Sequence, residues 1–147
     1  MKKSPSTAIL SLGTNIEPRQ ENLAAAREKL NARPGTAIVG ESSIIETDPV
    51  DVPEEFSSLK FLNQVVKVET SLDVWDFSEK IHSIEDVLGR VRGPVRNTPR
   101  TIDIDIVDFD NLVVETKELT LPHPRAHERD FVMRPLLEIL PDFKFAK

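Results

Sequence analysis

Residues Ile102 to Ile106 read Ile-Asp-Ile-Asp-Ile, a strict two-residue alternation of apolar and acidic side chains. In a β-strand side chains alternate between faces, so the three isoleucines line one side and Asp103 and Asp105 the other. At a rise of about 3.3 Å per residue the two aspartate Cβ atoms stand roughly 6–7 Å apart. Like charges that close repel unless water screens them or a cation lies between them. Taken by itself, the pair is accounted for by a half-exposed strand with solvated carboxylates. The alternative is a Mg²⁺ site. Mg²⁺ takes oxygen ligands, often one or two carboxylates, with substrate phosphates and water completing the shell. Two such ions about 3.5–4 Å apart would clamp both ends of a phosphoryl transfer.

What precedes the strand favours the cation. The stretch from Arg90 to Arg100, RVRGPVRNTPR, holds Arg90, Arg92, Arg96 and Arg100 and no acid. Basic runs are usually solvated loops. This one leads straight into the paired carboxylates, and a guanidinium is a planar fork of donors that matches phosphate. Groups of this kind cradle the charge that spreads over a phosphoryl group in transfer. No Gly-x-x-x-x-Gly-Lys loop and no protein-kinase motif set is present, which excludes those two classes.

The 147 residues are expected to form a single domain, 1–147, with a real core. With 39% hydrophobic and 30% charged residues the chain has the composition of a soluble globular protein. No apolar run reaches about 18 residues, so no membrane helix is expected. The opening apolar stretch is too short and broken for a signal peptide. With no cysteine, disulfides, thiolate metal sites and thiol nucleophiles are excluded, and a reducing cytoplasm suits the chain. A net charge of −6 argues against a broad nucleic-acid surface.

Periodicity and breakers predict a first strand over Thr7–Leu12, a turn at Gly13–Asn15, and a helix from Arg19 to Asn31 with Leu23, Ala26 and Leu30 on one stripe. A β-rich run follows over Thr36–Thr47, bulged at Gly40, then a polar loop from Asp48 and a strand from Phe61. Asp73 caps a second helix that Gly89 ends. After the strand Ile102–Phe109 come a short hairpin return and a last helix before Pro141. The order β-α-β-β-α-β suits an α+β ferredoxin-like sandwich, an antiparallel sheet with helices packed on one face. The same order would suit an RNA-binding domain.

Two further stretches are candidates. Leu121–Phe131 gathers His123, Arg125, His127, Arg129 and Phe131. His-x-x-x-His on a helix can bind zinc, but Pro124 opposes a helix at His123 and no third ligand is evident. His123 and Arg129 are better read as phosphate contacts or as surface residues. Asn63 follows Phe61 and Leu62 in a strand. A buried amide offers a donor and an acceptor that suit the edge of a heterocycle; taken alone, an amide that satisfies a neighbouring loop backbone is the better reading.

Taken in order, these pieces resemble one family, the 6-hydroxymethyl-7,8-dihydropterin pyrophosphokinases of folate biosynthesis. The resemblance runs over nearly the whole chain: LSLGTNIEPRQENL, SSIIETDPV, FLNQVVKVET, IEDVLGRVR, PRTIDIDIVDFD and LPHPRAHERDFVMRPLLEI. It implies transfer of pyrophosphate from ATP to the hydroxymethyl group of the dihydropterin, with AMP as the other product and two Mg²⁺ ions bound with ATP. Asp103 and Asp105 would be the metal ligands, and Arg90 and Arg100 the catalytic arginines that neutralise the triphosphate. Arg92, Arg96, His123 and Arg129 would add ATP contacts, and His82, Glu85, Ile106 and Thr120 would line the same site. Thr47, Asp48, Val50, Asn63 and Phe131 would form the pterin pocket, with Asn63 hydrogen-bonded to the ring and Phe131 stacked on it. No strong general base stands out; either metal-bound geometry lowers the hydroxyl pKa or Asp105 accepts the proton.

The chain departs from the family pattern in places. Asn97 stands where an aromatic is frequent, Asp48 where proline can follow the threonine, Glu118 where some members have arginine, and Pro124 where an aromatic follows the histidine. The expected partners are the two small-molecule substrates, with no nucleic acid and no membrane, for a cytoplasmic monomer. A nucleotide- or metal-binding regulator on the same fold would have less need of the paired carboxylates. An RNA-binding domain would want paired aromatics on central strands, which are lacking.

Overall fold

The computed structural model describes residues 5–31, 35–48, 60–89 and 102–145. The chain runs β1 (Ser6–Thr14), α1 (Arg19–Asn31), β2 (Thr36–Glu41), β3 (Ile45–Thr47), β4 (Phe61–Thr70), α2 (Val74–Val87), β5 (Asp103–Phe109), β6 (Val114–Glu115), β7 (Thr120–Leu121), a 3₁₀ turn at Ala126–Glu128, and α3 (Asp130–Ile139). The main sheet has the order β2-β4-β1-β5, with β3 also paired to β4, and every pairing is antiparallel. A separate ladder joins β6 and β7.

Local chemistry explains most element ends. Asp73 caps α2, its carboxylate accepting the Asp76 N–H at 2.8 Å, so an orphan donor of the first turn is satisfied. Gly89 follows the helix with φ of 92°, a conformation that favours glycine. The Thr36–Thr47 run divides into two strands, because at Ser42 the chain turns its groups onto β4: its N–H donates to the Val65 carbonyl and its hydroxyl accepts the Val65 N–H. The bulge lies at Val39, between Ile38 and Gly40, one residue before the expected glycine.

The sheet is covered on both faces, which corrects the expectation of helices on one. Leu23, Ala26 and Leu30 of α1 and Phe77, Ile81 and Ile84 of α2 pack with Ala8, Leu10, Leu12, Ile104 and Phe109. On the other face Val132 and Leu136 of α3, with Ala126, pack on Ile9, Val65 and Val107. β1 and β4 carry apolar residues on both sides, Ile9 and Val65 on one and Leu10 and Val66 on the other, so both faces required a cover. α3 packs on Val65, one row along the sheet from Gly13, Asn63 and Asp103.

The alternation of β5 holds through Ile106 and then breaks. Leu10 pairs with Ile106 but Ile9 pairs with Asp108, leaving Val107 as an extra residue. Phe109 thereby returns to the α1/α2 side, its ring 5.4 Å from that of Phe77. Asp108 stands opposite Ile9 and is buried.

Candidate functional site

β1 lies between β4 and β5, and its register brings residues from three strands into one row. Gly13 pairs with Asn63 on one side and with Asp103 on the other. Paired residues in a sheet share a face, so Asn63, Gly13 and Asp103 do, and Ile45 extends the row from β3. The next row holds Val65, Ser11 and Asp105. Asp103 and Asp105 are therefore on one face, as their spacing predicts, half-buried and exposed respectively.

Asn63 is buried, and its amide nitrogen donates to the Thr47 hydroxyl at 2.6 Å. The structure thus brings together Thr47 and Asn63, two residues expected to meet the pterin. Asp48 forms an exposed ion pair with Lys60 at 3.2 Å. Val50, Arg90, Arg92, Arg96, Arg100 and Asn97 lie outside the described residues.

At the outer edge of β5 is a cavity of about 220 Å³. Ser78, Ile81 and His82 of α2 form one wall, Ile104, Asp105 and Ile106 of β5 another, and the segment Glu118–Thr120 with His123 and Pro124 a third. His82, Ile106, Thr120 and His123, all expected at the nucleotide, meet here around Asp105. Glu85 does not line the cavity. Its buried carboxylate accepts the Ile104 N–H at 2.7 Å, tying α2 to the edge of β5 beside the aspartates. A solvent-facing nucleotide contact and a strand anchor have the same helical spacing, so periodicity does not separate them.

His123 is held by its backbone, its N–H donating to the Val107 carbonyl at 3.0 Å, while Nδ1 accepts the Arg125 N–H at 3.2 Å. Burial pushes its pKa below the usual histidine value, Arg129 and Arg125 push the same way, and Asp105 opposes them. The imidazole is therefore neutral at pH 7 and offers hydrogen bonds rather than charge. Arg129 lies over the Phe131 ring, 5.6 Å from its centroid. His127 points elsewhere, edge-on to Phe145 and 3.5 Å from Glu128.

Among the described residues no group of three or more His, Asp or Glu side chains stands close enough to form a metal cage. Asp103 and Asp105 supply oxygen donors on one half-open face, a set that suits a hard cation whose other ligands come from a phosphate and water. Sequence reasoning missed Gly13 in its row, because GTN after an apolar run reads as a turn whereas β1 continues through Thr14. No helix of the described residues is long and apolar enough to cross a membrane.

The family model of 7,8-dihydro-6-hydroxymethylpterin-pyrophosphokinase (HPPK) matches residues 9–141. The chain belongs to the HPPK family. A 2-amino-4-hydroxy-6-hydroxymethyldihydropteridine pyrophosphokinase of Bacillus subtilis is 42% identical over 132 residues, 90% of this chain and 77% of that protein. One of the same name from Methylorubrum extorquens is 41% identical over 92% of this chain and 83% of its own. Among solved structures, a Plasmodium falciparum HPPK-DHPS superposes with a TM-score of 0.74 at 16% identity, over 97% of this chain and 39% of that one. The last is a likeness of fold, and the HPPK chain spans about two fifths of that larger protein.

Proposed function

We propose that this HPPK domain transfers pyrophosphate from ATP to the hydroxymethyl group of 6-hydroxymethyl-7,8-dihydropterin with Mg²⁺, releasing AMP. Pyrophosphate transfer to hydroxymethyldihydropterin, a step of folate biosynthesis, follows from family membership. The observation that carries the finer reading is the shared face of Asn63, Asp103 and Asp105, with the amide two strands away from the carboxylates, across β1. A substrate with a heterocycle at Asn63 and an extended arm would reach the aspartates across β1.

Asp103 and Asp105 would hold two Mg²⁺ ions, which when bound supply charge neutralisation for the triphosphate. The protein's own part is positioning. The cavity walls around His123 and Thr120 would receive the nucleotide, with neutral His123 a hydrogen-bonding partner. Arg129 would add charge from the start of α3, and Phe131 an aromatic surface for the pterin. Arg90 and Arg100 are proposed as the remaining cationic contacts. With reactants held in line and water excluded, such transfers rely mainly on orientation and electrostatics. A cytoplasmic monomer of one domain is the corresponding proposal for the protein as a whole.

The test is AMP formation from ATP and Mg²⁺ with and without the pterin. AMP is expected only with the pterin, and it should vanish with EDTA. Pterin-independent AMP, or none from folded protein, would overturn the reading. Asn63→Ala is expected to weaken pterin binding about tenfold, the loss of roughly one well-placed hydrogen bond, with the affinity for ATP unchanged. Isothermal titration of each substrate checks both halves.

A further inference from the structure

We infer that Gly13 is a positioning residue for pterin recognition: the space left by its missing side chain fixes where the Asn63 amide stands. The inference rests on the reading of Asn63 as the pterin contact. Backbone conformation does not call for glycine here. Gly13 lies within β1, paired on both sides, and only Gly35 and Gly89 among the described glycines have positive φ. Room calls for it. A Cβ at Gly13 would stand 3.0 Å from Asn63 Oδ1, whereas its next neighbours, Phe61 Cδ2 at 3.7 Å and the Leu62 carbonyl oxygen at 3.9 Å, are at ordinary contact distance.

The amide has little freedom to retreat. Asn63 is buried, and its Nδ2 is bound to the Thr47 hydroxyl at 2.6 Å. A methyl group at position 13 therefore displaces the amide or breaks its bond to Thr47. Either change moves the group that would read the heterocycle. The nucleotide cavity contains neither residue, so the effect should be confined to the pterin. On the opposite side Gly13 pairs with Asp103, so an arm running from Asn63 to the carboxylates would cross β1 at the one position of this row without a side chain.

The experiment measures the dissociation constants of 6-hydroxymethyl-7,8-dihydropterin and of α,β-methylene ATP with Mg²⁺ for the parent chain, Gly13→Ala, Asn63→Ala and the double variant. Gly13→Ala is expected to weaken the pterin about tenfold, a coupling of ordinary size for side chains in contact. It should leave the ATP analogue within about twofold and cost less than about twofold more in the Asn63→Ala background. A merely structural defect would weaken both ligands and add to the Asn63→Ala loss; that result overturns the inference. Full pterin affinity in Gly13→Ala, with loss in Asn63→Ala, also overturns it but leaves the reading of Asn63 standing. Full affinity in Asn63→Ala removes that reading and the inference with it. Should Gly13→Ala fail to fold, adding Asn63→Gly must restore folding and binding of the ATP analogue; failure to do so overturns the steric link.

Discussion

Alanine at Asp103 or at Asp105 is expected to lower turnover by at least about 10³-fold, the loss of roughly 4 kcal/mol of charge stabilisation around the transferring phosphoryl group. The pterin should still bind within a few-fold, because Thr47 and Asn63, which would recognise it, belong to β3 and β4 rather than β5. Stability should barely change. Asp105 is exposed and Asp103 half-buried, so truncation opens no core cavity. Steady-state AMP formation, a pterin titration and a thermal melt on each variant check the three expectations. Unchanged turnover in both variants would remove the paired-cation reading.

Asp108→Asn is expected to raise Tm at neutral pH relative to the parent chain, and to do so more at pH 7 than near pH 3.8. Asp108 is buried opposite Ile9, and its Oδ1 has no hydrogen-bond partner among the described residues, while Oδ2 accepts the Asn111 N–H at 3.1 Å. Burial raises its pKa above the ordinary value of 3.8; the Asn111 N–H pulls it back, and the neighbouring charge of Asp110 pushes it further up. The folded state thus holds this proton more tightly than the unfolded chain. Below about pH 3.8 both states are protonated and nothing is lost. As pH rises from there through the folded-state pKa, the unfolded chain ionises first and stability falls; above it the loss is complete. Asparagine keeps the acceptor for Asn111 and cannot ionise. The gain should therefore be largest at neutral pH and disappear near pH 3.8, as melts at the two pH values would show. An equal gain at both would mean that charge is not the cause.

Much of this fold was legible because the signals were local. The ends of α1, its buried stripe and the Asp73 cap need only a few neighbouring residues, and all match. The opposed faces of Ile102–Ile106 were equally plain, as was the hairpin return. What failed was nonlocal. That α3 lies across the sheet from α1 and α2 depends on Ile9, Val65 and Val107 needing a cover, and three scattered positions give no periodic signal. The division of β2 from β3 depends on Ser42 meeting Val65 of another strand. The site was legible in its chemistry and less so in its assembly. Asp103 and Asp105 could be singled out from residue type and spacing, and Asn63 only through the family resemblance, but their alignment through Gly13 is a matter of register. Glu85 could be assigned to a helix face, yet its commitment to Ile104 could not be read from that helix alone.

The single extra residue at Val107 gives β5 two reading frames. Before it, odd-numbered positions present carboxylates and even-numbered positions pack under the helices; after it, Phe109, an odd-numbered residue, does the packing. The frames are separated at one backbone irregularity, so substitutions on one side need not be compensated on the other. The carboxylate end of the strand is free to vary with its chemistry, and the Phe77–Phe109 end with its core, while both remain parts of one continuous ladder against β1.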